Sequence, residues 1–280
     1  MAPLSQFVAQ YGCTADYLMA SLNALREMTK RFSVEGPIRF FINDFPEETM
    51  AFLTDCAQDD NYHVRRLASE GTRPKLPWAQ KLTIPYQHPL PILEMLYTDQ
   101  TRYVTRSVAN HLNDISKLEP QLVVETLKRW QGGSQMQLEK EMTYISRHAL
   151  RTLIKQGNLD ALALIGFGEA PEITITDFET STPQVVIGEA FMFSLQIQAH
   201  KTQKLAIDYV MTFATDTNKN PQKVFKLKEV ELEVDKAITI NKKHPMRLMT
   251  TRRLVTGEHT ITLQINGQPF GSLTFDLLEA

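Results

Sequence analysis

Tyr62-His-Val-Arg-Arg-Leu-Ala-Ser-Glu70, Arg102-Tyr-Val-Thr-Arg-Ser-Val-Ala-Asn110 and Thr143-Tyr-Ile-Ser-Arg-His-Ala-Leu-Arg151 are three copies of one segment, offset by 40 and then 41 residues. Their shared pattern is aliphatic-x-Arg-x-small, with apolar residues recurring at three- and four-residue spacing, the signature of a helix with one buried face. The columns of the alignment are explicit. Val64, Val104 and Ile145 share one position, Ala68, Val108 and Ala149 the next turn, and Leu112 and Leu153 the turn after; these form the expected buried face. The opposite face carries Arg66, Arg106 and Arg147, then Glu70, Asn110 and Arg151, then Pro74, Asp114 and Lys155.

A period of ~40–47 residues is that of helix pairs of the HEAT type, whose stacked inner helices line a concave, partner-binding surface. The first part of the chain, residues 1–168, is therefore expected to be an α-solenoid of HEAT-like repeats. Beyond it the period changes to two, as in Phe191-Met-Phe-Ser-Leu-Gln-Ile197, Leu227-Lys-Glu-Val-Glu-Leu-Glu-Val234 and Ile261-Thr-Leu-Gln-Ile265. About seven or eight short strands punctuated by Pro183, Gly188, Pro221, Gly257 and Asn266-Gly267 predict an immunoglobulin-like antiparallel β-sandwich over residues 169–280. Gly166 to Pro171 is the expected hinge. The fold class is thus multidomain, α then β.

The chain has 280 residues, 42% of them hydrophobic, which excludes a disordered protein. No apolar run approaches the ~18 residues of a membrane span, and Met1 to Tyr11 has neither the basic start nor the apolar core of a signal peptide. Two cysteines, Cys13 and Cys56, do not make a disulfide framework, so a reducing, cytoplasmic setting is expected. A monomer is expected as well. The seven histidines form no metal-ligand motif, and no Gly-rich phosphate loop is present, so no metal or cofactor is expected. A net charge of −2 argues against a polyanion partner only until its distribution is considered.

Arg102, Arg106, Asn110 and Asp114, spaced by four, form one polar stripe along a helix. The arginines Arg66 and Arg106 have an ordinary alternative, pairing with Asp60 and Asp99 of neighbouring turns. Asp114 falls where the other repeats have Pro74 and Lys155, so the repeat does not require an acid there. Glu70 sits where Gly71, Pro74 and Pro77 stop its helix, a carboxylate against the helix dipole. Arg73, Lys75 and Trp78 follow on the loop. Two cations and an aromatic suit nucleic-acid contact, although Trp78 packed beneath the loop is an equal reading. Arg147, Arg151 and Lys155 put three cations on one face, a polyanion footprint or a solvated face, and a solvated face more often mixes signs. His111 is a candidate DNA ligand or a hydrogen-bonded structural histidine. In the sandwich, Lys242, Lys243, Arg247, Arg252 and Arg253 cluster with no acid between them, a candidate phosphate-contacting patch or a solvated hairpin.

Three strings, Ser69-Glu-Gly-Thr-Arg-Pro-Lys-Leu-Pro-Trp78, Arg106-Ser-Val-Ala-Asn-His-Leu-Asn-Asp114 and Arg147-His-Ala-Leu-Arg-Thr-Leu-Ile-Lys155, together resemble the AlkC branch of the HEAT-like-repeat DNA glycosylases, in the form with an appended immunoglobulin-like domain. The resemblance implies hydrolysis of the N-glycosidic bond of cationic alkylated bases, 3-methyladenine and 3-methylcytosine, during base excision repair of double-stranded DNA. It implies a catalytic carboxylate at Asp114, with Glu70 the second candidate, phosphate contacts from Arg147 and Arg151, and a DNA-clamping role for the sandwich. Where the related AlkD branch has an aromatic one turn before its catalytic acid, this chain has Asn110, and Trp78 is the candidate replacement. The alternative from another class is a non-catalytic HEAT scaffold binding DNA or protein through the same face.

Overall fold

The computed structural model describes residues 2–133, 137–168, 170–216, 221–247 and 254–279. They divide into two compact units, Met1–Leu153 and Ile154–Ala280.

The first unit is helical. α1 (Ala2–Gly12), α2 (Leu18–Thr29) and α3 (Ile38–Asp44) precede three helix pairs: α4 (Pro46–Cys56) with α5 (Tyr62–Gly71), α6 (Leu90–Leu96) with α7 (Arg102–Ile115), and α8 (Pro120–Gly132) with α9 (Glu139–Ala149). Pro46 and Pro120 open α4 and α8, at positions where a missing backbone N–H forfeits no helical hydrogen bond. Asn61 caps α5, its side chain accepting from the His63 N–H at 2.9 Å. α7 packs against both α5 and α9. The aligned columns meet as the repeat requires: Val64, Val104, Ile145, Ala68, Val108 and Ala149 are all buried, as are Leu112 and Leu153. Each repeat buries its apolar face only against its neighbour, so these columns are the continuous core of the stack.

Acid–arginine pairs do link neighbouring repeats, but through different arginines from those expected. Asp99 takes Arg65 Nε at 2.5 Å, and Asp59 takes Arg26. Arg66 and Arg106, one position round the helix, remain on the site face.

α10 (Arg151–Lys155) runs across the division, and α11 (Leu159–Leu164) belongs to the second unit. There Leu162 and Phe167 pack against Ala206, with Ile154 and Ile165 around them. The separation therefore falls at residues 153/154 rather than at the expected 168/169, because the apolar face of α11 is buried by the sandwich. Gly168 is tied down as well, its carbonyl accepting from Asn266 Nδ2 at 3.2 Å.

The sandwich contains β1 (Ile173–Thr180), β2 (Gln184–Val186), β3 (Ala190–Ala199), β4 (Gln203–Thr212), β5 (Gln222–Leu232), β6 (Ala237–Pro245), β7 (Gly257–Ile265) and β8 (Gln268–Leu278). One sheet has the order β1-β3-β6 and the other β2-β8-β7-β4-β5. The expected antiparallel pairing holds except that the short β2 runs parallel to β8. Asn266 (φ 47°) and Gly267 (φ 79°) both take left-handed conformations in the β7–β8 hairpin, the requirement of a tight primed turn. The inward residues of both sheets form one core, in which Phe191 stacks on Phe275 at 4.1 Å between ring centres. β5 and β6 are edge strands, and the charges of β5 (Lys223, Lys226, Lys228, Glu229 and Glu231) guard against edge-to-edge association.

Candidate active site

α7 carries the polar stripe from solvent into the repeat stack: Arg102 and Arg106 are exposed, Asn110 is half-buried, and Asp114 is 3% exposed. One repeat earlier, Glu70 at the end of α5 is 5% exposed. The two carboxylates are joined by Arg73. Its Nη1 lies 2.6 Å from Glu70 Oε1, while Nε and Nη2 donate to Asp114 Oδ2 at 2.9 and 2.8 Å. Ser107 Oγ donates to Glu70 Oε2 at 2.7 Å, and Lys117 Nζ reaches Asp114 Oδ1 at 3.2 Å. Arg66 Nη2 stands 3.7 Å from Glu70 and 3.5 Å from Glu35. Burial pushes the Glu70 carboxyl up, but the Arg73 charge, the Ser107 hydroxyl and Arg66 outweigh it and hold the group below the ordinary carboxylate range. Glu70 is therefore ionised at neutral pH despite its burial.

The loop after α5 is built to present Arg73. Thr72 Oγ1 donates to the Ala68 carbonyl at 2.7 Å and closes the end of the helix. Gly71 approaches α3 so closely that a Cβ there would meet Ile38 Cγ2 at 2.7 Å. Arg39 of α3, 1% exposed, donates through Nη1 to the carbonyls of Gly71 (3.0 Å) and Arg73 (2.8 Å), and through Nε to that of Gln80. Asn43 secures the far end, its Nδ2 donating to the Lys81 carbonyl at 2.9 Å. Residues 1–58 thus contribute α3 as the buttress of the site loop. At the tip, Trp78 has φ 64° and is fully exposed, so it does not pack beneath the loop.

Two candidate DNA contacts, His111 and Arg73, turn inward, His111 into the structural role that is its other reading. His111 is 0% exposed, and its Nδ1 lies 3.0 Å from the Ser69 carbonyl. A carbonyl only accepts, so Nδ1 carries the proton. Burial lowers the ring pKa to about 4, and His111 is a neutral structural side chain beneath the site rather than a DNA ligand. Arg73, expected as a loop cation facing DNA, is turned inward onto the carboxylates.

Asn110 and Arg151 are brought together as their shared column requires. Arg151 Nη2 donates to Asn110 Oδ1 at 3.2 Å, and His148 Nε2 donates to the same oxygen at 2.9 Å. His148 stacks on Tyr144 at 5.3 Å between ring centres, and the Arg102 guanidinium lies 3.7 Å above Tyr144. Arg106 lies 6.0 Å from the Tyr103 ring centre, and Arg147 is half-buried on α9. Reading the sequence alone misses Ser107, His148, Tyr144, Lys117 and Arg39. Ser107 and His148 do carry a signal, because the column that places Leu67 in the first repeat places them in the next two. Arg39 lies outside the repeat and carries none.

In the sandwich, Lys242, Lys243 and Arg247 border one cavity of about 250 Å³, together with Lys223 and the aromatic rings of Tyr209, Phe213 and Phe225. Lys226, by contrast, is paired with Glu229 at 2.5 Å. Arg252 and Arg253 lie outside the described residues. Among the described residues no helix is long and apolar enough to cross a membrane.

The fold and the site together define a class: a HEAT-like helical-repeat protein with a buried carboxylate pair between repeats and a C-terminal immunoglobulin-like sandwich. Residues 174–279 match the family described as "Uncharacterised protein YhaZ, C-terminal Ig-like domain". Over 274 residues the chain is 36% identical to the protein YhaZ of Bacillus subtilis (strain 168), described as uncharacterized, a match covering 97% of this chain and 75% of that protein. It superposes with a TM-score of 0.91, at 37% identity, on the Pseudomonas fluorescens alkylpurine DNA glycosylase AlkC bound to DNA containing an abasic site analog, covering 98% of this chain and 76% of that one. The chain belongs to the AlkC family.

Proposed function

We propose that this protein is a monofunctional DNA glycosylase that hydrolyses the N-glycosidic bond of cationic alkylated bases, 3-methyladenine and 3-methylcytosine, in double-stranded DNA. The observation that carries this reading is the pair Glu70 and Asp114, two carboxylates from adjacent repeats, buried and held on one guanidinium, in a chain of the AlkC family.

The chemistry needs little more. An alkylated base already bears a positive charge, so it leaves with the electrons of the C1′–N bond as a neutral molecule and requires no general acid. What develops is positive charge on the sugar, and an ionised carboxylate in a sheltered site stabilises it strongly. Glu70 is held in that form by its surroundings. Asp114 is assigned to the attacking water. It orients that water, whose oxygen bonds to C1′ while the released proton passes to the carboxylate and on to solvent.

The DNA-facing set is drawn from the ring and the cations that are not held on the carboxylate pair. Trp78 offers a free ring for stacking against a base or sugar, in place of the aromatic that Asn110 replaces. Arg106, Arg147 and Arg151 on α7, α9 and α10 are assigned to the phosphate backbone, and Lys242, Lys243 and Arg247 give the sandwich its phosphate contacts. Chromatography of bases released from methylated duplex DNA tests the reading. Release by the unaltered protein, abolished or cut by orders of magnitude in Asp114→Asn and Glu70→Gln, is expected. No release by the unaltered protein would leave a DNA-binding scaffold, and full release by both variants would move the chemistry elsewhere.

A further inference from the structure

Every carboxylate oxygen of the site is occupied. Glu70 Oε1 and Asp114 Oδ2 are taken by Arg73, Glu70 Oε2 by Ser107, and Asp114 Oδ1 by Lys117. In this arrangement the charge of both acids is already compensated where a sugar or a water would approach, and Asp114 Oδ2 accepts two donors from Arg73 alone. Ser107 is a hydroxyl that can turn, and the Lys117 side chain is 34% exposed on a flexible stem. Arg73 is different. Its side chain is 13% exposed, it spans both acids, and its backbone is pinned by Arg39, so only its side-chain torsions can move it. It also places a planar, delocalised cation against one oxygen of Glu70, assigned above to the developing positive charge of the sugar, and one of Asp114, assigned above to the attacking water.

From this geometry we infer that Arg73 is a specificity-determining latch: its guanidinium occupies the place of the cationic nucleoside between Glu70 and Asp114, and only a positively charged nucleoside can exchange with it. The reason is electrostatic. Withdrawing the cation that spans two buried carboxylates leaves only Lys117 and the more distant Arg66 beside them, so their charge is under-compensated in a low-dielectric site, which is unfavourable. A cationic lesion or an oxocarbenium-like sugar brings an equal charge to the same place, and the exchange is near balance. An unmodified nucleoside brings none, so Arg73 stays and the carboxylates remain unavailable. Undamaged DNA is then rejected before any chemistry, without the need to read the shape of the base. This inference rests on the glycosylase reading, and it gives Arg73 a role opposite to that of a residue that helps bind substrate.

The test compares two duplexes that differ only in the charge of the sugar analogue: one with a neutral tetrahydrofuran abasic site, the other with a protonated pyrrolidine in its place. In the unaltered protein the latch competes with the pyrrolidine cation. In Arg73→Met the competitor is gone, and the ratio of affinities, pyrrolidine over tetrahydrofuran, is expected to rise by about tenfold or more. Arg73→Lys, whose compact ammonium cannot span both acids, should give an intermediate ratio, and it carries the test if Arg73→Met fails to fold. An unchanged ratio in the folded variant overturns the latch, because a merely structural role would alter both affinities alike. A fall in the ratio also overturns it, since Arg73 would then be aiding the cation. If the ratio rises although the unaltered protein releases no base, the latch stands and the glycosylase reading fails. If base is released but the ratio does not move, the reverse holds.

Discussion

The buried guanidinium of Arg39 donates a 2.8 Å hydrogen bond to the backbone carbonyl of Arg73, so a residue before the first repeat sets the position of the cation between Glu70 and Asp114. Arg39 bears a visible electrostatic penalty for this. Burial, reinforced by the Arg73 charge, lowers its pKa to about 10. A buried charge kept under such conditions is kept for its hydrogen bonds.

Arg39→Met therefore leaves the carbonyls of Gly71, Arg73 and Gln80 without their donor. A loss of about 3 kcal/mol in unfolding free energy is expected from the unsatisfied acceptors. Denaturant unfolding measures it, and base release should fall along with it because the loop carrying Arg73 loosens. Unaltered stability would show that water replaces the guanidinium without penalty.

His111 predicts a pH dependence. Its pKa falls from the ordinary 6.5 to about 4 in the folded protein, through burial that the Ser69 hydrogen bond only partly opposes. Over this interval the unfolded chain binds the proton and the folded chain does not. Stability is thus fully present above pH 6.5 and declines as the pH falls toward 4, by on the order of 3 kcal/mol in total. Urea titrations of the protein and of His111→Gln across this range would separate the contribution, since the variant should lose most of the slope.

Trp78 is fully exposed, and its φ of 64° is a strained backbone conformation for a bulky residue. Trp78→Gly should leave stability unchanged or raise it by about 1 kcal/mol, while weakening DNA binding by ~1–3 kcal/mol through the missing stack. Iodide quenching checks the cause: Trp78 is accessible in the free protein, Trp130 is buried, and DNA should shield the former.

The cations at the sandwich cavity make an electrostatic prediction. Replacing Lys242, Lys243 and Arg247 by glutamate should lower DNA affinity most at low salt. It should also flatten the dependence of log K on log salt by ~0.9 for each phosphate no longer neutralised. An unchanged slope would remove the sandwich from the DNA interface.

Much of this protein is written locally. The columns Val64/Val104/Ile145 and Ala68/Val108/Ala149 follow from helical periodicity alone, because a repeat that packs only on its neighbours must place equivalent residues in equivalent contacts. The alternation of Phe191, Phe193, Leu195 and Ile197 identifies a half-buried strand for the same reason: side-chain direction follows backbone period. Asp114 stands out because the repeat requires no acid at its position, and Glu70 because it sits against the dipole at the end of its helix. What spacing cannot convey is partnership between side chains of different helices. That Arg73 turns inward, that Arg65 rather than Arg66 takes Asp99, that His111 is sealed and Trp78 bare, and that α11 joins the sandwich all depend on rotation of one element against another. A side chain moves between core and surface within one residue of helical turn, about 100°, and that rotation is set by packing of the whole unit. Arg39 is the plainest instance: nothing near it in the chain needs an arginine, and only the loop folded onto it supplies three carbonyls for it to hold.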